Sequence, residues 1–458
     1  MIALAAVLAT LPVTPLHDER PNIIFIITDD QRNDMLGAVT PHLHTPNMDR
    51  LAKEGVRFEN AFVTTPICAA SRASLLTGLV ERTHRYTFAT PPLADEFVEI
   101  SYPVLMRRAG YNSGFIGKFG VNTNKGTTDR MFDVFTPLSP APYMKKQPDG
   151  TERHLTDITA DKAISYLREH KNNPFALTVS FNAPHADDGD KRQYIWPPAM
   201  DGLYTDFTVP KPPLSDSEFY DSLPEFLRDS TLNRVRWHWR FDEPEKAQEM
   251  TKGYYRMISG VDAALGRLIS ELQALGLSEN TVIVLMGDNG YFLGERGYAG
   301  KWLPYDLSIR VPLIVFDPRA EEQGIVPQPF ALNIDIPPTL LVLAGIDSPK
   351  EMQGKSLLPL LHGETPSDWR TDFFVEHLFE HEQIPKHEGV RGQRYQYARY
   401  FEQDPVYEEL YDLRADPMQI RNLANNPDYA DVLETMRKRT DELRDEYGGP
   451  YKKLTPRN

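Results

Sequence analysis

The sequence has little cysteine: Cys68 is the only thiol in 458 residues. A single cysteine cannot form an internal disulfide, so a disulfide-stapled scaffold is excluded. The apolar run at residues 2–11 is shorter than the roughly 20 residues that cross a bilayer, so it predicts no stable membrane insertion. The sequence contains no internal repeat and no low-complexity tract, and its composition of 41% hydrophobic and 25% charged residues is that of a globular protein.

The sequence also has fewer positively than negatively charged residues. The chain has 50 Lys and Arg against 65 Asp and Glu, which gives a formal net charge of −15. A field of that sign repels nucleic acid and anionic lipid, so we expect no nucleic-acid partner. If the ligand is an anion, the positive charge that binds it must be concentrated in a pocket.

The length suggests two to three units, at roughly 100–200 residues per domain, or one large unit with an appendage. Residues 1–20 form a candidate signal peptide, because residues 2–11 suit its apolar part, and this predicts a periplasmic or secreted protein. The alternative is an N-terminal apolar segment docked on the core. We expect a large domain at 21–365 and a smaller one at 366–458, separated near the polar segment 362–369.

The large domain alternates strand and helix patterns. Short, apolar, β-branched runs at 22–28, 175–181, 281–290 and 310–317 indicate buried strands. Apolar residues recurring every three or four positions over 250–275 indicate an amphipathic helix. This alternation predicts an α/β fold with a large mixed, mostly parallel sheet sandwiched by helices.

The C-terminal part has a different pattern of predicted strands and helices. The segments at 373–379, 390–401 and 407–413 are typical of short antiparallel strands, and a helix is expected at about 428–447. We therefore predict a smaller α+β subdomain that contains a short antiparallel sheet.

Two strands of the large domain end in oxygen ligands. Asp29 and Asp30 follow the first strand, and Asp288 and Asn289 lie at the end of the run at 281–290. Ligand sites of open α/β sheets lie beyond the carboxyl ends of strands, so these pairs can converge on one ion. Oxygen donors without His or Cys favour a hard cation, with Ca²⁺ the better match and Mg²⁺ the alternative. Each pair taken alone could instead be a turn or a helix cap.

The segment CAASRASLLTG, residues 68–78, begins with the single cysteine. A helix is expected to start here and to stop at Gly78, which places Cys68 at or just before its N-terminus. The helix dipole and Arg72 would favour a thiolate there. The alternative is that Cys68 is a small buried apolar residue.

This segment resembles the signature of the type I sulfatases, Cys-x-Pro-Ser-Arg-x-x-x-Leu-Thr-Gly, in its Cys-x-Ala-x-Arg variant. Six further segments resemble family motifs in the same order, so the similarity spans about residues 21–425. These segments are NIIFIITDDQR, TPNMDRLAKEGVRFENAFVTTPIC, GYNSGFIGKFG, SFNAPHAD, the block GDNGYFLGERGYAGKWLPYDLSIRVPLIVF, and ELYDLRADPMQIRNLA. The resemblance implies an alkaline-phosphatase-like fold and hydrolysis of sulfuric esters.

The resemblance further implies that a maturation enzyme oxidises Cys68 to formylglycine, whose hydrate attacks sulfur. It implies that calcium is held by Asp29, Asp30, Asp288, Asn289 and the modified residue 68. Arg72 would hold the hydrate, while Lys118, His185 and Lys301 would contact sulfate or the leaving oxygen. A lysine could instead be a solvated surface residue, and His185 a locally bonded loop residue.

The sequence departs from the family at one position. The usual Gly-Lys-Trp-His is replaced by Gly117-Lys118-Phe119-Gly120, which removes the histidine that serves as base for sulfate release. His84 and Asp288 are the two candidates for a substitute.

The substrate is expected to be a sulfated saccharide. Its binding residues are predicted among charged and histidine-rich segments. The candidates are His84, Asp187, His238, His377, Arg391 and Arg394. The alternative for the C-terminal candidates is a histidine-rich surface loop.

Two other functions remain open from the sequence. A phosphonate monoester or phosphodiester hydrolase would share the fold and the formylglycine. A protein that binds anions without turnover would result if Cys68 were never oxidised or if Gly120 abolished release.

Overall fold

A computed structural model describes residues 20–88, 91–228 and 231–453. Residues 1–19, which carry most of the candidate signal peptide, lie outside the described residues. The strands are β1 (Asn22–Thr28), β2 (Val56–Arg57), β3 (Ala61–Phe62), β4 (Asn112–Gly117), β5 (Val134–Pro137), β6 (Met144–Lys146), β7 (Glu152–His154), β8 (Phe175–Ser180), β9 (Thr281–Gly287), β10 (Phe292–Leu293), β11 (Ala299–Gly300), β12 (Leu313–Phe316), β13 (Ala331–Leu332), β14 (Asp372–His377), β15 (His387–Gly392), β16 (Tyr395–Tyr400) and β17 (Tyr407–Asp412).

The helices alternate with these strands in the first three quarters of the chain, and a long helix follows the last strand. They are α1 (Pro46–Glu54), α2 (Cys68–Thr77), α3 (Glu81–His84), α4 (Asp95–Glu99), α5 (Tyr102–Arg108), α6 (Thr127–Met131), α7 (Leu155–His170), α8 (Ser217–Asp221), α9 (Leu232–Arg240), α10 (Pro244–Ala274), α11 (Asp306–Ile309), α12 (Ile336–Leu343), α13 (Leu358–Leu361) and α14 (Ala430–Glu446). Among the described residues, no helix combines the length and the apolar character that a bilayer crossing requires.

A seven-stranded sheet with the order β2-β12-β9-β1-β8-β4-β5 forms the centre of the molecule. Its central strands are parallel, and β12 pairs antiparallel with both β9 and β2. Side chains alternate between the two faces of β1: Ile23, Phe25 and Ile27 join one core cluster, whereas Ile24 and Ile26 join the other. Both faces are therefore covered, which is why β1 is apolar throughout.

Helices cover each face of this sheet. Apolar residues of α2, α5 and α12 pack on one side, and those of α1, α7 and α10 pack on the other. The stripe of α10 that includes Tyr254, Ile258 and Leu265 is buried, as its spacing predicted. The predicted α/β sandwich is confirmed.

The C-terminal part contains the antiparallel sheet β14-β15-β16-β17, and α14 packs against it. The segment at 390–401 is not one strand, because the chain turns after Gly392 and returns as β16. The sheet is tied to the rest of the chain by buried Arg82, which pairs with Glu376 (2.8 Å) and Glu388 (2.7 Å). The predicted antiparallel subdomain sheet is present, and the domain boundary near residue 365 stays a prediction.

Candidate active site

Four neighbouring strands, β9, β1, β8 and β4, run parallel and end at one edge of the large sheet. β1 and β9 pair with Thr28 opposite Gly287, so the polar residues that follow each strand lie side by side. His185 follows β8 and Lys118 follows β4 at the same edge. The parallel topology therefore gathers chemical groups that are distant in the sequence.

The two acidic pairs form one buried cluster. The N–H of Asp30 donates to Asp288 Oδ1 (3.1 Å), and Asn289 Nδ2 donates to Asp30 Oδ1 (2.7 Å). Asp29 Oδ1, Asp30 Oδ2 and Asn289 Oδ1 are buried oxygens that find no hydrogen-bond donor within the described part of the chain. Burying such oxygens without a partner is costly, and a bound cation would satisfy them. The donor set fits a hard divalent cation such as Ca²⁺ or Mg²⁺.

Cys68 opens α2 and faces this cluster. Its Sγ and carboxylate oxygens of Asp29 and Asp288 all lie within 4.8 Å of one another. The side chain is buried, and α2 is capped by Gly78, whose φ of 71° is the left-handed conformation expected just after a helix C-terminus. The side chain at position 68 is thus held at a helix N-terminus, next to carboxylates that can share an ion with it.

Two lysines neutralise the acidic cluster. Lys118 Nζ bonds Asp29 Oδ2, and Lys301 Nζ bonds Asp30 Oδ1 and lies 3.9 Å from Asp29 Oδ1. Burial disfavours the charged form of each group, yet the neighbouring opposite charges outweigh burial. The pKa of Lys301 is consequently raised, and the pKa values of Asp29 and Asp30 are lowered.

Arg72, one turn after Cys68 on α2, fastens the strand ends together. Its Nε donates to Asp288 Oδ2 (2.7 Å), and its Nη1 donates to the carbonyl of Lys118 (2.6 Å) and to Ser180 Oγ (2.7 Å). Burial and the negative charge of Asp29 nevertheless raise the pKa of Asp288 to about 6. Arg72 therefore positions a carboxylate of the ion cluster.

His185 lies on the loop after β8. Its Nε2 is 3.7 Å from Asp30 Oδ2, while Nδ1 lies 2.6 Å from the carbonyl oxygen of Ala186, so Nδ1 carries the proton and Nε2 faces the cluster. Burial lowers the pKa of His185 to about 4. Tyr143 Oη donates to the backbone carbonyl of His185 (2.6 Å) and accepts from Asn182 Nδ2 (2.6 Å), which holds the loop in place.

Sequence reasoning missed Ser180 and Tyr143. Ser180 is the last residue of β8, and its position at a strand end was a usable signal. Tyr143 precedes β6, far from any of the motifs, and nothing in the sequence near it indicated a role.

Gly120 occupies the position where the family usually has histidine. Its φ is +71°, and a Cβ added there would lie 2.8 Å from Arg72 Cδ. The replacement of histidine by glycine is therefore linked to the packing of Arg72, because any larger residue at position 120 would displace that arginine or the backbone.

The structure corrects the expectation for His84. Its Nε2 lies 3.1 Å from Ser74 Oγ, and its Nδ1 accepts from the N–H of Tyr86 (3.1 Å). Burial lowers the pKa of His84 to about 3. Both ring nitrogens are engaged inside the protein, so His84 is available neither as the base for release nor as a substrate ligand.

Of the two C-terminal arginines, only Arg391 is corrected in the same way. Arg391 is buried, bonds both oxygens of Asp306 (3.0 and 2.9 Å) and lies over the ring of Phe62. Arg394, the residue before β16, bonds Asp412 (2.8 Å), the last residue of β17, and its side chain is 49% exposed. Arg391 thus uses the donors that a substrate would need, whereas the role of half-exposed Arg394 in substrate binding stays a prediction.

The other three predicted substrate residues have different environments. His377 is fully buried at the end of β14, with its ring 6.1 Å from that of His387. His238 is exposed on α9, 4.0 Å from Asp242. Asp187 lies on the loop of His185, where its Oδ1 accepts from the N–H of Gly189 (3.1 Å). Their role in substrate binding stays a prediction.

Comparison with known families gives two matches. The sulfatase family model matches residues 21–346, and a model described as N-sulphoglucosamine sulphohydrolase, C-terminal, matches residues 294–446. The first match contains all of the groups gathered at the sheet edge.

Individual proteins are similar over nearly the whole chain. An N-acetylglucosamine-6-O-sulfatase of Bacteroides thetaiotaomicron is 28% identical, with 98% of this chain and 90% of that protein aligned. A solved structure in complex with its substrate D-glucosamine-2-N,6-O-disulfate has 27% identity and a TM-score of 0.78, covering 93% of this chain and 98% of the other. The phosphonate monoester hydrolase of Agrobacterium radiobacter has 25% identity and a TM-score of 0.79, covering 93% and 96%.

Proposed function

The chain belongs to the sulfatase family and is a sulfuric ester hydrolase, and from this premise we propose that it removes sulfate from a sulfated saccharide with calcium and a formylglycine derived from Cys68. The observation that carries this proposal is the convergence of four parallel strand ends on the side chain of Cys68. The saccharide substrate is supported by the names of the relatives, several of which act on sugars.

Formylglycine at position 68 would supply, as its hydrate, the nucleophilic oxygen for attack on sulfur. Cys68 is only 7% exposed in the fold, so a maturation enzyme would have to act before the chain folds around it. This timing makes the maturation enzyme a partner of the unfolded chain.

The calcium ion would be held by Asp29, Asp30, Asp288 and Asn289, together with an oxygen of the modified residue 68. The three orphaned oxygens of this set support such a site. When bound, the ion would polarise a sulfate oxygen as a Lewis acid. Lys118 and Lys301 then face sulfate rather than carboxylates alone, and their positive charges stabilise the negative charge that develops on its oxygens.

The leaving oxygen needs a proton, which Lys301 would supply, or His185 once its Nε2 has also taken up a proton. The leaving group distinguishes these two candidate acids. Loss of the proton donor should slow hydrolysis far more when the leaving group is an alcohol than when it is an acidic phenol. Comparison of Lys301→Ala and His185→Ala on a sugar sulfate and on p-nitrophenyl sulfate therefore identifies the donor. Of the two bases considered for sulfate release, Asp288 remains after the correction of His84.

Turnover of sulfated saccharides by wild type and Cys68→Ala is the direct test. Wild-type protein, with oxidation at residue 68 verified by peptide mass spectrometry, should release sulfate, and Cys68→Ala should fold but show no turnover. Retained activity in Cys68→Ala would remove residue 68 from the reaction. A fully oxidised protein that turns over no sulfate ester would favour anion binding without catalysis.

A phosphonate monoester or phosphodiester is the second candidate substrate, since the fold of a phosphonate monoester hydrolase matches this chain as closely as that of a sulfatase. The ratio of kcat/KM for p-nitrophenyl sulfate to that for a phosphonate monoester of the same phenol separates the two. We further propose export to the periplasm or beyond, as the apolar segment at residues 2–11 suggests.

A further inference from the structure

Helix α9 borders the site through the segment that carries Lys301. Asn233 Nδ2 donates to the carbonyl of Lys301 (2.9 Å), and the guanidinium carbon of Arg236 lies 4.8 Å from the ring centre of Trp302. Asn233 and Arg236 are three residues apart, so both lie on the same face of the helix. This face is therefore fixed relative to the sulfate-facing lysine.

The same helix face is tied to the loop of His185. Asp188, three residues after His185, accepts from Arg236 through one oxygen and from Arg240 through the other. Arg240 is fully buried and also donates to Gln193 Oε1 (2.8 Å) and to Tyr291 Oη (2.5 Å). Its donors are used inside the protein, so Arg240 has a structural role.

Arg236, unlike Arg240, has a hydrogen-bond donor that is not used within the described residues. Its side chain is 12% exposed, and its Nε is buried with no hydrogen-bond partner among residues 20–88, 91–228 and 231–453. Two guanidinium groups share a single carboxylate, so this cluster has one positive charge in excess. The neighbouring carboxylates of this loop act on other cations: Asp190 pairs with Arg192, and the charge of Asp187 acts on Arg192 and Lys145.

A partly buried positive charge without a full counter-charge is costly, and an anionic ligand group removes that cost. A guanidinium also binds the oxygens of sulfate or carboxylate in a bidentate manner. We infer that Arg236 is a specificity-determining residue that binds a second anionic substituent, sulfate or carboxylate, on the saccharide whose first sulfate is cleaved. This inference rests on the proposed sulfatase activity toward saccharides.

A pair of substrates that differ only in the substituent on nitrogen, anionic in one and neutral in the other, gives the test. D-glucosamine-2-N,6-O-disulfate and N-acetyl-D-glucosamine 6-O-sulfate share the ring and the 6-sulfate, and only the first has an anionic group on nitrogen. The quantity measured is the ratio of their kcat/KM values. Arg236→Met should lower this ratio tenfold or more, which corresponds to about 1.4 kcal/mol, mainly through KM for the disulfate. Arg236→Lys should recover part of the ratio because it restores the charge.

Arg192→Gln is the matched control, since Arg192 is an exposed, ion-paired arginine on the same loop as Asp188. It should leave the ratio within twofold of wild type. A ratio that Arg236→Met does not change, or that Arg192→Gln lowers equally, would overturn the inference. If Arg236→Met does not fold, the wild-type ratio still decides: it should fall as salt rises from about 0.05 to about 0.5 M, and a constant ratio refutes charge recognition.

Different experimental results would contradict the role of Arg236 and the proposed function. If the oxidised protein cleaves neither sugar nor any other sulfate ester, the saccharide sulfatase proposal is wrong and the inference falls with it. If it cleaves both sugars with a ratio that is indifferent to Arg236, only the inference is wrong.

Discussion

Replacing Gly120 with alanine should weaken both folding and turnover, because the new Cβ would lie 2.8 Å from Arg72 Cδ. Arg72 cannot swing away freely, since its guanidinium bonds Asp288, Ser180 and the carbonyl of Lys118 at 2.6–2.7 Å. The left-handed backbone at φ +71° adds about 1–2 kcal/mol for any residue with a Cβ. Overpacking of the contact adds about 1–3 kcal/mol.

Gly126→Ala supplies the control for the backbone term. Gly126 has a similar φ of +78°, but a Cβ there meets no atom within 4 Å. Its substitution should therefore cost only the backbone term of about 1–2 kcal/mol and leave turnover unchanged. The difference between the two variants isolates the contact with Arg72.

The assay is urea unfolding followed by tryptophan fluorescence, with kcat/KM on p-nitrophenyl sulfate measured in parallel. Gly120→Ala should unfold at lower urea than Gly126→Ala and lose at least tenfold in kcat/KM, about 1.4 kcal/mol of transition-state stabilisation, because Arg72 no longer positions Asp288. Gly120→His, which restores the usual family residue, should be at least as damaging. Equal stability and equal turnover of the two alanine variants would refute the idea that glycine is required at position 120 to leave space for Arg72.

Three further outcomes are expected. Asp288→Ala should lower both bound calcium, measured by elemental analysis, and kcat/KM; unchanged calcium would remove Asp288 from the ion site. Ser180→Ala should lower kcat/KM several-fold while preserving the fold, because Arg72 loses one anchor, and an unaltered rate would show that the anchor is dispensable. Burial lowers the pKa of His154 from 6.5 to about 4 while its Nδ1 accepts from the N–H of Thr156, so its contribution to stability is complete above pH 6.5 and is lost as the pH falls toward 4. Wild type should lose about 2 kcal/mol more unfolding free energy than His154→Gln between pH 7 and pH 5, and parallel pH profiles would contradict this assignment.

The sequence by itself determined the strand and helix segments that build the sheet, because both faces of the central strands are buried and the strands are therefore apolar throughout. It also determined the acidic pairs and the segment from Cys68 to Gly78, since residue type and spacing carry that information locally.

Only the tertiary structure decided which polar residues meet. His84 and Arg391 look like ligands in the sequence, yet their polar atoms are used by Ser74, Tyr86 and Asp306. Ser180 and Arg236 gained their significance from strand pairing and from the docking of α9, which no local pattern encodes. The physical reason is that hydrogen-bond partners are chosen by packing across distant segments, whereas periodicity is set by neighbours along the chain.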